Sequence, residues 1–180
     1  MRVISGQARG RILKAPRGYK TRPTADRVKE AIFNVLSAKI KGSYVLDVFA
    51  GSGGLGIEAL SRGAEYAVFI ENNRESWLTI KKNLALTGFE TQAQVFLGDF
   101  AHVLPRLEKR FDLVFLDPPY NQGLVQKSVS LIIDLGLLKD QGVIIIETAG
   151  KQKELPVREE ITLKKESIYG DTAVLYYQYY

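Results

Sequence analysis

The chain has 180 residues and a net charge of +5, with 46% hydrophobic and 25% charged residues, the balance of a globular domain long enough for one sizeable core. It has no cysteine and one histidine, His102, which excludes disulfides, thiolate metal sites and multi-histidine centres, and no metal is expected. No apolar run approaches the ~20 residues of a membrane span, and the opening "MRVISGQARGRILK" lacks the apolar core of a secretory signal, so a cytoplasmic location is the expectation.

The positive charge is concentrated at the front. Residues 1–41 hold eleven Lys/Arg against two acids, whereas residues 42–180 hold fourteen against eighteen. Arg2, Arg9, Arg11, Lys14, Arg17 and Lys20 are followed closely by Arg22 and Arg27. Such one-sided charge suggests a polyanionic partner. A solvated basic tail is the bland alternative, but the alternation in "RVISGQARGRILKAP" suggests a structured β-hairpin. The one plausible boundary divides a basic hairpin, 1–21, from a body, 22–180.

From Thr24 to Ile40, Val28, Ala31, Ile32, Val35 and Leu36 recur at helical spacing, with Thr24 as a suitable N-cap and Gly42 as the stop. "SYVLDVFA" then reads as a buried strand, and "GSGGLGIEALSRGA" as a glycine turn feeding a helix. "YAVFIENN" is a second strand, 74–87 a second helix and "AQVFLGD" a third strand, followed by a short helix over Ala101–Leu107. "FDLVFLD" is the fourth strand, with a helix near 124–134; "GVIIIET" is the fifth, and "ITLKKESIY" and "TAVLYYQYY" form a closing antiparallel pair. Strands alternating with helices imply right-handed βαβ units and a mostly parallel sheet, and uninterrupted apolar strands imply burial on both faces.

"DVFAGSGGLG" contains Gly51-x-Gly53-x-x-Gly56, with Glu71 twenty residues after Gly51. Read literally this is a dinucleotide fingerprint, a weak signal alone. The discriminating residue is Asp47 at the strand end, because a carboxylate there repels a pyrophosphate and welcomes a cation. S-adenosylmethionine carries an ammonium and a sulfonium but no phosphate, so Asp47 favours it over NAD. Glu71 at the tip of strand two can accept from ribose hydroxyls. Asp99, ending strand three, can accept from the adenine amine, with Phe100 as an apolar wall. Single loop acids of this kind are usually only solvated. Three at successive strand tips beside a glycine turn mark the edge where open α/β sheets bind ligands.

In "FDLVFLDPPYNQG" the fourth strand stops in Asp117, Pro118, Pro119 and Tyr120. An exocyclic amine on a nucleobase is a poor nucleophile, because its lone pair is delocalised into the ring. The Asp117 carboxylate and a nearby carbonyl such as that of Pro118 can each accept one N–H, orienting the lone pair and stabilising charge as it develops. Pro119 helps to hold the turn rigid, and Tyr120 can stack on an extruded base. A plain Asp-Pro turn is the simpler alternative; the aromatic directly after the prolines weighs against it.

The motifs DxFxGxG and DPPY make the chain resemble class I S-adenosylmethionine-dependent methyltransferases that methylate amines. More closely, "RVISGQARGRIL", "TRPTADRVKEAIFNVL", "VLDVFAGSGGLGIEALSRGA", "FIENN", "FDLVFLDPPY" and "YGDT" resemble the RsmD family over nearly the whole length. The resemblance implies a Rossmann-like α/β fold, with a seven-stranded mostly parallel sheet and a C-terminal antiparallel hairpin, beside the small basic N-terminal β-hairpin. It implies methyl transfer to guanine N2 in small-subunit (16S) ribosomal RNA, the substrate being a partly assembled particle. The cofactor set it implies is Asp47, Phe49, Gly51, Gly53, Glu71, Asn72, Asp99 and Phe100. Arg22, Thr24 and Arg27 then border the methionine end or the RNA. Alternatives are an adenine-N6 methyltransferase on DNA or RNA, a protein-glutamine methyltransferase, and a non-catalytic RNA-binding module. The first usually carries a target-recognition region, the second usually has Asn in place of Asp117, and the third leaves the acids at the strand tips unexplained.

Overall fold

A computed structural model describes residues 1–16, 23–119, 122–150 and 155–180. Seven strands form one sheet in the order β3-β2-β1-β4-β5-β7-β6: β1 Tyr44–Asp47, β2 Tyr66–Glu71, β3 Ala93–Leu97, β4 Phe111–Leu116, β5 Leu138–Ala149, β6 Ile161–Tyr169 and β7 Thr172–Tyr179. The first five pair in parallel, and β7 is antiparallel to both β5 and β6. The chain runs outward from β1 to β3, then returns to place β4 on the other side of β1. That reversal is the topological switch point of a Rossmann-like sheet.

Strand alternation splits the apolar runs between two cores. Val45, Phe69, Leu113, Phe115 and Ile145 face one side, with α1 (Pro23–Val35), α3 (Gly54–Ser61) and α4 (Arg74–Thr87). Leu46, Val68, Val114, Leu116 and Ile146 face the other, with α5 (Phe100–Val103) and α6 (Leu124–Asp134). Both faces are covered over the central strands β1, β2 and β4, which carry no polar stripe, whereas the edge strands β3 and β6 are largely open to solvent. Among the described residues no helix is long and apolar enough to cross a membrane.

Several boundaries differ from the sequence reading. The helix expected over Thr24–Ile40 breaks at Leu36 (φ −85°, ψ 0°) into α1 and a single turn, α2 (Ser37–Ile40). It starts at Pro23, whose ring presets helical φ, so Thr24 lies inside the first turn and is not the cap. The segment expected as a helix over Ala101–Leu107 is α5 followed by a 3-10 turn at Leu104–Arg106, where Pro105 cannot donate. The third strand stops at Leu97, and Asp99 instead caps α5, accepting from the Ala101 amide at 2.8 Å.

The N-terminal segment folds back on itself, but a single bridge, Arg2 with Ile12, is its only β pairing among the described residues. The Val3, Gly10 and Leu13 amides donate across the fold-back to the Arg11, Val3 and Met1 carbonyls, and other amides reach the body of the fold. Ile4 and Ser5 donate to the Glu58 carboxylate at 2.8 and 3.0 Å, and Ala8 donates to the Ser61 hydroxyl at 3.0 Å. Gly6 sits at φ +85°, where a Cβ would lie 1.7 Å from the Ser61 carbonyl oxygen, so only glycine allows this approach. Val3, Ala8 and Leu13 are buried in the same core as α1 and α3. The division proposed at 21/22 falls outside the described residues.

Glu58 is fully buried, and besides those two amides it pairs with Lys29 at 3.2 Å and Arg62 at 2.8 Å. Loss of hydration pulls the Lys29 ammonium below its usual pKa even though Glu58 opposes the shift. Removing the carboxylate leaves a buried cation and two partly buried amides without their acceptor. Glu58→Ala should therefore destabilise the fold by about 3–5 kcal/mol in urea denaturation. Glu58→Gln, which keeps one acceptor oxygen, should lose less; equal stability of all three proteins would show that the carboxylate does not anchor the segment.

Candidate active site

A cavity of about 550 Å³ opens along the carboxyl ends of the parallel strands, lined among others by Phe49, Gly51, Glu71, Asn72, Asp99 and Phe100, and by Asp117, Pro118 and Pro119. This volume suits a small organic ligand. The switch point between β1 and β4 supplies the opening, and the ends of β2, β3 and β4 bring Glu71 with Asn72, Asp99 and Asp117 into its wall.

The glycine turn divides its work among three positions. Gly51 (φ +54°) and Gly53 (φ +80°) adopt left-handed backbone that turns the chain from β1 into α3. At Gly56 a Cβ would stand 2.2 Å from the Phe69 ring, so the helix can meet the sheet only without a side chain. The Gly51 amide donates to Glu71 Oε2 at 2.7 Å, and the Asn73 amide to Oε1 at 2.8 Å. Each Glu71 oxygen keeps a further lone pair for a ligand hydroxyl. Asn83 on α4 completes the scaffold, accepting from the Lys14 amide at 2.8 Å and donating to the Ser52 carbonyl at 2.9 Å. The N-terminal segment and the glycine turn thus hang from one side chain.

Asp47 is placed differently from the sequence expectation of a residue facing the ligand. It is buried beneath the turn, accepts the Gly56 amide at 3.1 Å and does not line the cavity. Loss of hydration pushes its carboxyl up to about 7; the Gly56 hydrogen bond opposes the shift and Glu71 adds to it. Gly53 also stands behind the cavity wall. The rings of Phe49 and Phe100 meet at 5.3 Å, tilted by 59°, and form an apolar end beside Asp99.

At the other end Asp117 follows β4. It keeps solvent access through the cleft, yet protein packed closely around the carboxyl pushes it well above the ordinary carboxylate range; Glu147 and then Asp47 add to the shift. Tyr120, Arg17 and Arg22 lie outside the described residues, as does the Thr24 side chain. Arg2, Arg9, Arg11, Lys14 and Arg27 are exposed, though Arg2 stands 3.9 Å from Asp26. Lys29, one of the front-end cations, is internal and unavailable to a partner. Sequence reasoning missed Val48, Ile70, Gly98, Gln122 and Leu124, which also line the cavity. Val48 and Ile70 are apolar and read as ordinary core; Gly123, in left-handed backbone at φ +65° before α6, was the sole sign of a shaped turn around Gln122.

Comparisons with known proteins agree with this geometry. The profile of the family "Conserved hypothetical protein 95" matches residues 1–178. YlbH of Bacillus subtilis is 43% identical over 99% of this chain and 98% of its own length. A Haemophilus influenzae relative named "Ribosomal RNA small subunit methyltransferase D" is 41% identical over 99% of this chain and 93% of its own. The solved structure of yhhF from Escherichia coli superposes with a TM-score of 0.86 at 38% identity, covering 99% of this chain and 97% of that one. On the strength of that profile and of such identity over nearly the whole chain, the protein belongs to the RsmD family of methyltransferases, conserved hypothetical protein 95.

Proposed function

We propose that the protein transfers the methyl group of S-adenosylmethionine to the N2 amine of one guanine in small-subunit ribosomal RNA, acting on a partly assembled particle. The observation that carries this reading is the position of Asp117, Pro118 and Pro119, which wall one end of a cavity whose other end is made of Phe49, Asp99 and Phe100. The name of the Haemophilus influenzae relative supports ribosomal RNA as the substrate class.

The residues present suit S-adenosylmethionine. Glu71 would hold the ribose hydroxyls, Asp99 the adenine amine, and Phe49 with Phe100 the adenine faces. Asp47, through the glycine turn, would set the negative potential that meets the cationic methionine end. When bound, the cofactor supplies a methyl group on a positively charged sulfur. At the far end Asp117 and the Pro118 carbonyl each accept one N–H of the target amine, so its lone pair is aimed at that methyl. Positive charge that grows on nitrogen during attack is met by the Asp117 carboxylate in a poorly hydrated site. Arg9 and Arg11 supply phosphate contacts that hold the RNA.

Labelled methyl transfer into small-subunit RNA from a strain lacking the protein, followed by nucleoside analysis, tests this directly. The product expected is a single N2-methylguanosine; N6-methyladenosine in its place would overturn the guanine assignment. Asp117→Ala should lower turnover about 10²–10³-fold with little change in cofactor affinity. Near-normal turnover in the folded variant would remove Asp117 from the chemistry.

The elevated Asp47 carboxyl gives cofactor binding a pH signature. Below pH 7 this group is largely neutral in the free protein, and a cationic ligand favours its ionised form. Affinity should therefore rise as pH approaches about 7 from below and level off above it, with proton release on binding. Calorimetry in buffers of different ionisation enthalpy measures both, and Asp47→Asn should abolish them. Affinity that is flat over this range in the native protein would show that Asp47 does not sense the ligand.

The basic front end is best tested by substitution. Deleting residues 1–20 would strip Val3, Ala8 and Leu13 from the core, whereas Arg9 and Arg11 are exposed. Replacing both with Ala should weaken RNA binding and flatten its log–log salt dependence by about 0.7–0.9 per lost phosphate contact. An unchanged slope would make these charges incidental.

A further inference from the structure

We propose that Glu147 is a second carboxylate of the base clamp, accepting the N1–H of the guanine whose 2-amine Asp117 holds, and that it thereby selects guanine over adenine. The inference rests on the guanine reading above and adds to it the residue that identifies the base.

The order of strands argues for this position. The cavity that takes the cofactor spans the tips of β3, β2 and β1 and ends at Asp117 after β4. A methyl acceptor must approach Asp117 from the side the cofactor leaves open. On the sheet edge that side is β5, the other neighbour of β4. Parallel register pairs Phe115 with Ile145 and Leu116 with Ile146, so Asp117 and Glu147 are the next residues on each chain. Glu147 lies two residues beyond Ile145 within β5 and shares its face, while Asp117 is the first residue past β4 and stands near enough for Glu147 to act on its charge. Neighbouring strands stand about 4.8 Å apart, close enough for two carboxylates to address adjacent donors on one base.

Among the described residues no cation pairs with Glu147 to explain it as a structural residue. Its cross-strand neighbour on β7 is Val174, which brings no charge. Among the described residues the charged groups acting on Asp117 are Glu147 and Asp47, both acids. Partial burial raises the Glu147 carboxyl too, and among the described residues no cation opposes it. Two carboxylates side by side, Asp117 open to the cleft and Glu147 half-buried, are met best by N–H donors, and donors favour their ionised form.

Guanine presents what this pair requires. Its Watson–Crick edge carries one hydrogen on N1 and two on the adjacent N2, so one carboxylate can take N1–H while the other takes an amine hydrogen. Adenine places an N1 lone pair beside its amine, and a carboxylate facing that lone pair is repelled. A flipped base is read along this edge, and a site built to accept a hydrogen discriminates against a base that lacks it.

The test is a double-mutant cycle between Glu147 and the N1 hydrogen. Once the native enzyme has located the methylated nucleotide, ligated small-subunit RNA is prepared with guanine or 2-aminopurine at that position. 2-Aminopurine keeps the 2-amine and lacks N1–H. With the native enzyme the change of base should lower kcat/KM about 10- to 100-fold, the size of one hydrogen bond to a charged group. Glu147→Ala should lose a similar factor on guanine RNA and little more on 2-aminopurine RNA. Glu147→Gln, which keeps an acceptor oxygen and the side-chain shape, should retain part of the preference and carries the cycle if the alanine variant does not fold. Cofactor affinity should be unchanged in both. Factors that multiply independently, or native rates of Glu147→Ala on guanine RNA, would overturn the inference while leaving the guanine reading intact. A native enzyme that makes no N2-methylguanosine would overturn the reading itself, and Glu147 as its specificity residue with it.

Discussion

Parallel strand register gathers four carboxylates at one edge of the sheet. Asp47 is opposite Phe69 on one side and Phe115 on the other, and Glu71 and Asp117 follow those residues by two places. Glu147 follows Ile145, the partner of Phe115, by the same interval. The βαβ connections bring the parallel strand tips to the same edge, so acids that are far apart in sequence gather there: Glu71 and Asp117 line the cavity, while Asp47 lies beneath the glycine turn. Their mutual repulsion and poor hydration would be destabilising without donors. Backbone amides meet part of that need: Gly51 and Asn73 donate to Glu71, and Gly56 to Asp47. The glycines are required because amides can reach these carboxylates only where the backbone turns sharply or approaches without a Cβ.

A second constraint acts below the turn. The Glu58 carboxylate fixes the N-terminal segment, Lys29 on α1 and Arg62 just after α3 at a single buried point. Asn83 links that segment to the glycine turn through Lys14 and Ser52. The basic front end is therefore part of the scaffold that shapes the cofactor side of the site, while its arginines remain free to face a polyanion. Charge and packing use different atoms of the same residues: Arg2 gives its carbonyl to Lys29 and leaves its guanidinium largely exposed.

What could be read in the sequence follows from this division. Apolar runs ending in Asp47, Glu71 and Asp117 revealed buried parallel strands with polar tips, because alternation fails only where both faces are covered. The closing β6–β7 pair was legible from its length and turn. Glu58 was not, since an acid in "GIEALSRG" looks like the solvated face of a short helix until the N-terminal amides are seen to reach it. Asp47 was found but assigned the wrong aspect, because strand-end position does not reveal that its side chain turns under the loop. Glu147 was invisible for a different reason: "IIIET" shows an acid at a strand tip, but only the sheet order places that tip beside Asp117.

The direction of the pKa shifts makes a coherent picture of how such an edge works. Asp47, Asp117 and Glu147 are all raised, chiefly by loss of hydration, while Glu71 shares its two oxygens with two amides. A trough of this kind holds less negative charge when empty than its count of acids suggests. It gains charge as positive groups and N–H donors arrive, since each stabilises the ionised form. Ligand and protein thus ionise the site together, and the proton lost from an acid is part of the binding equilibrium. The same poor hydration that raises these groups strengthens their effect on a nitrogen that becomes positive as it is methylated. Acids left fully solvated would be charged at all times but would stabilise that nitrogen weakly. Crowding them at strand tips, with Asp47 buried and Asp117 facing the cleft, makes the charge conditional on the ligand and strong once it is formed.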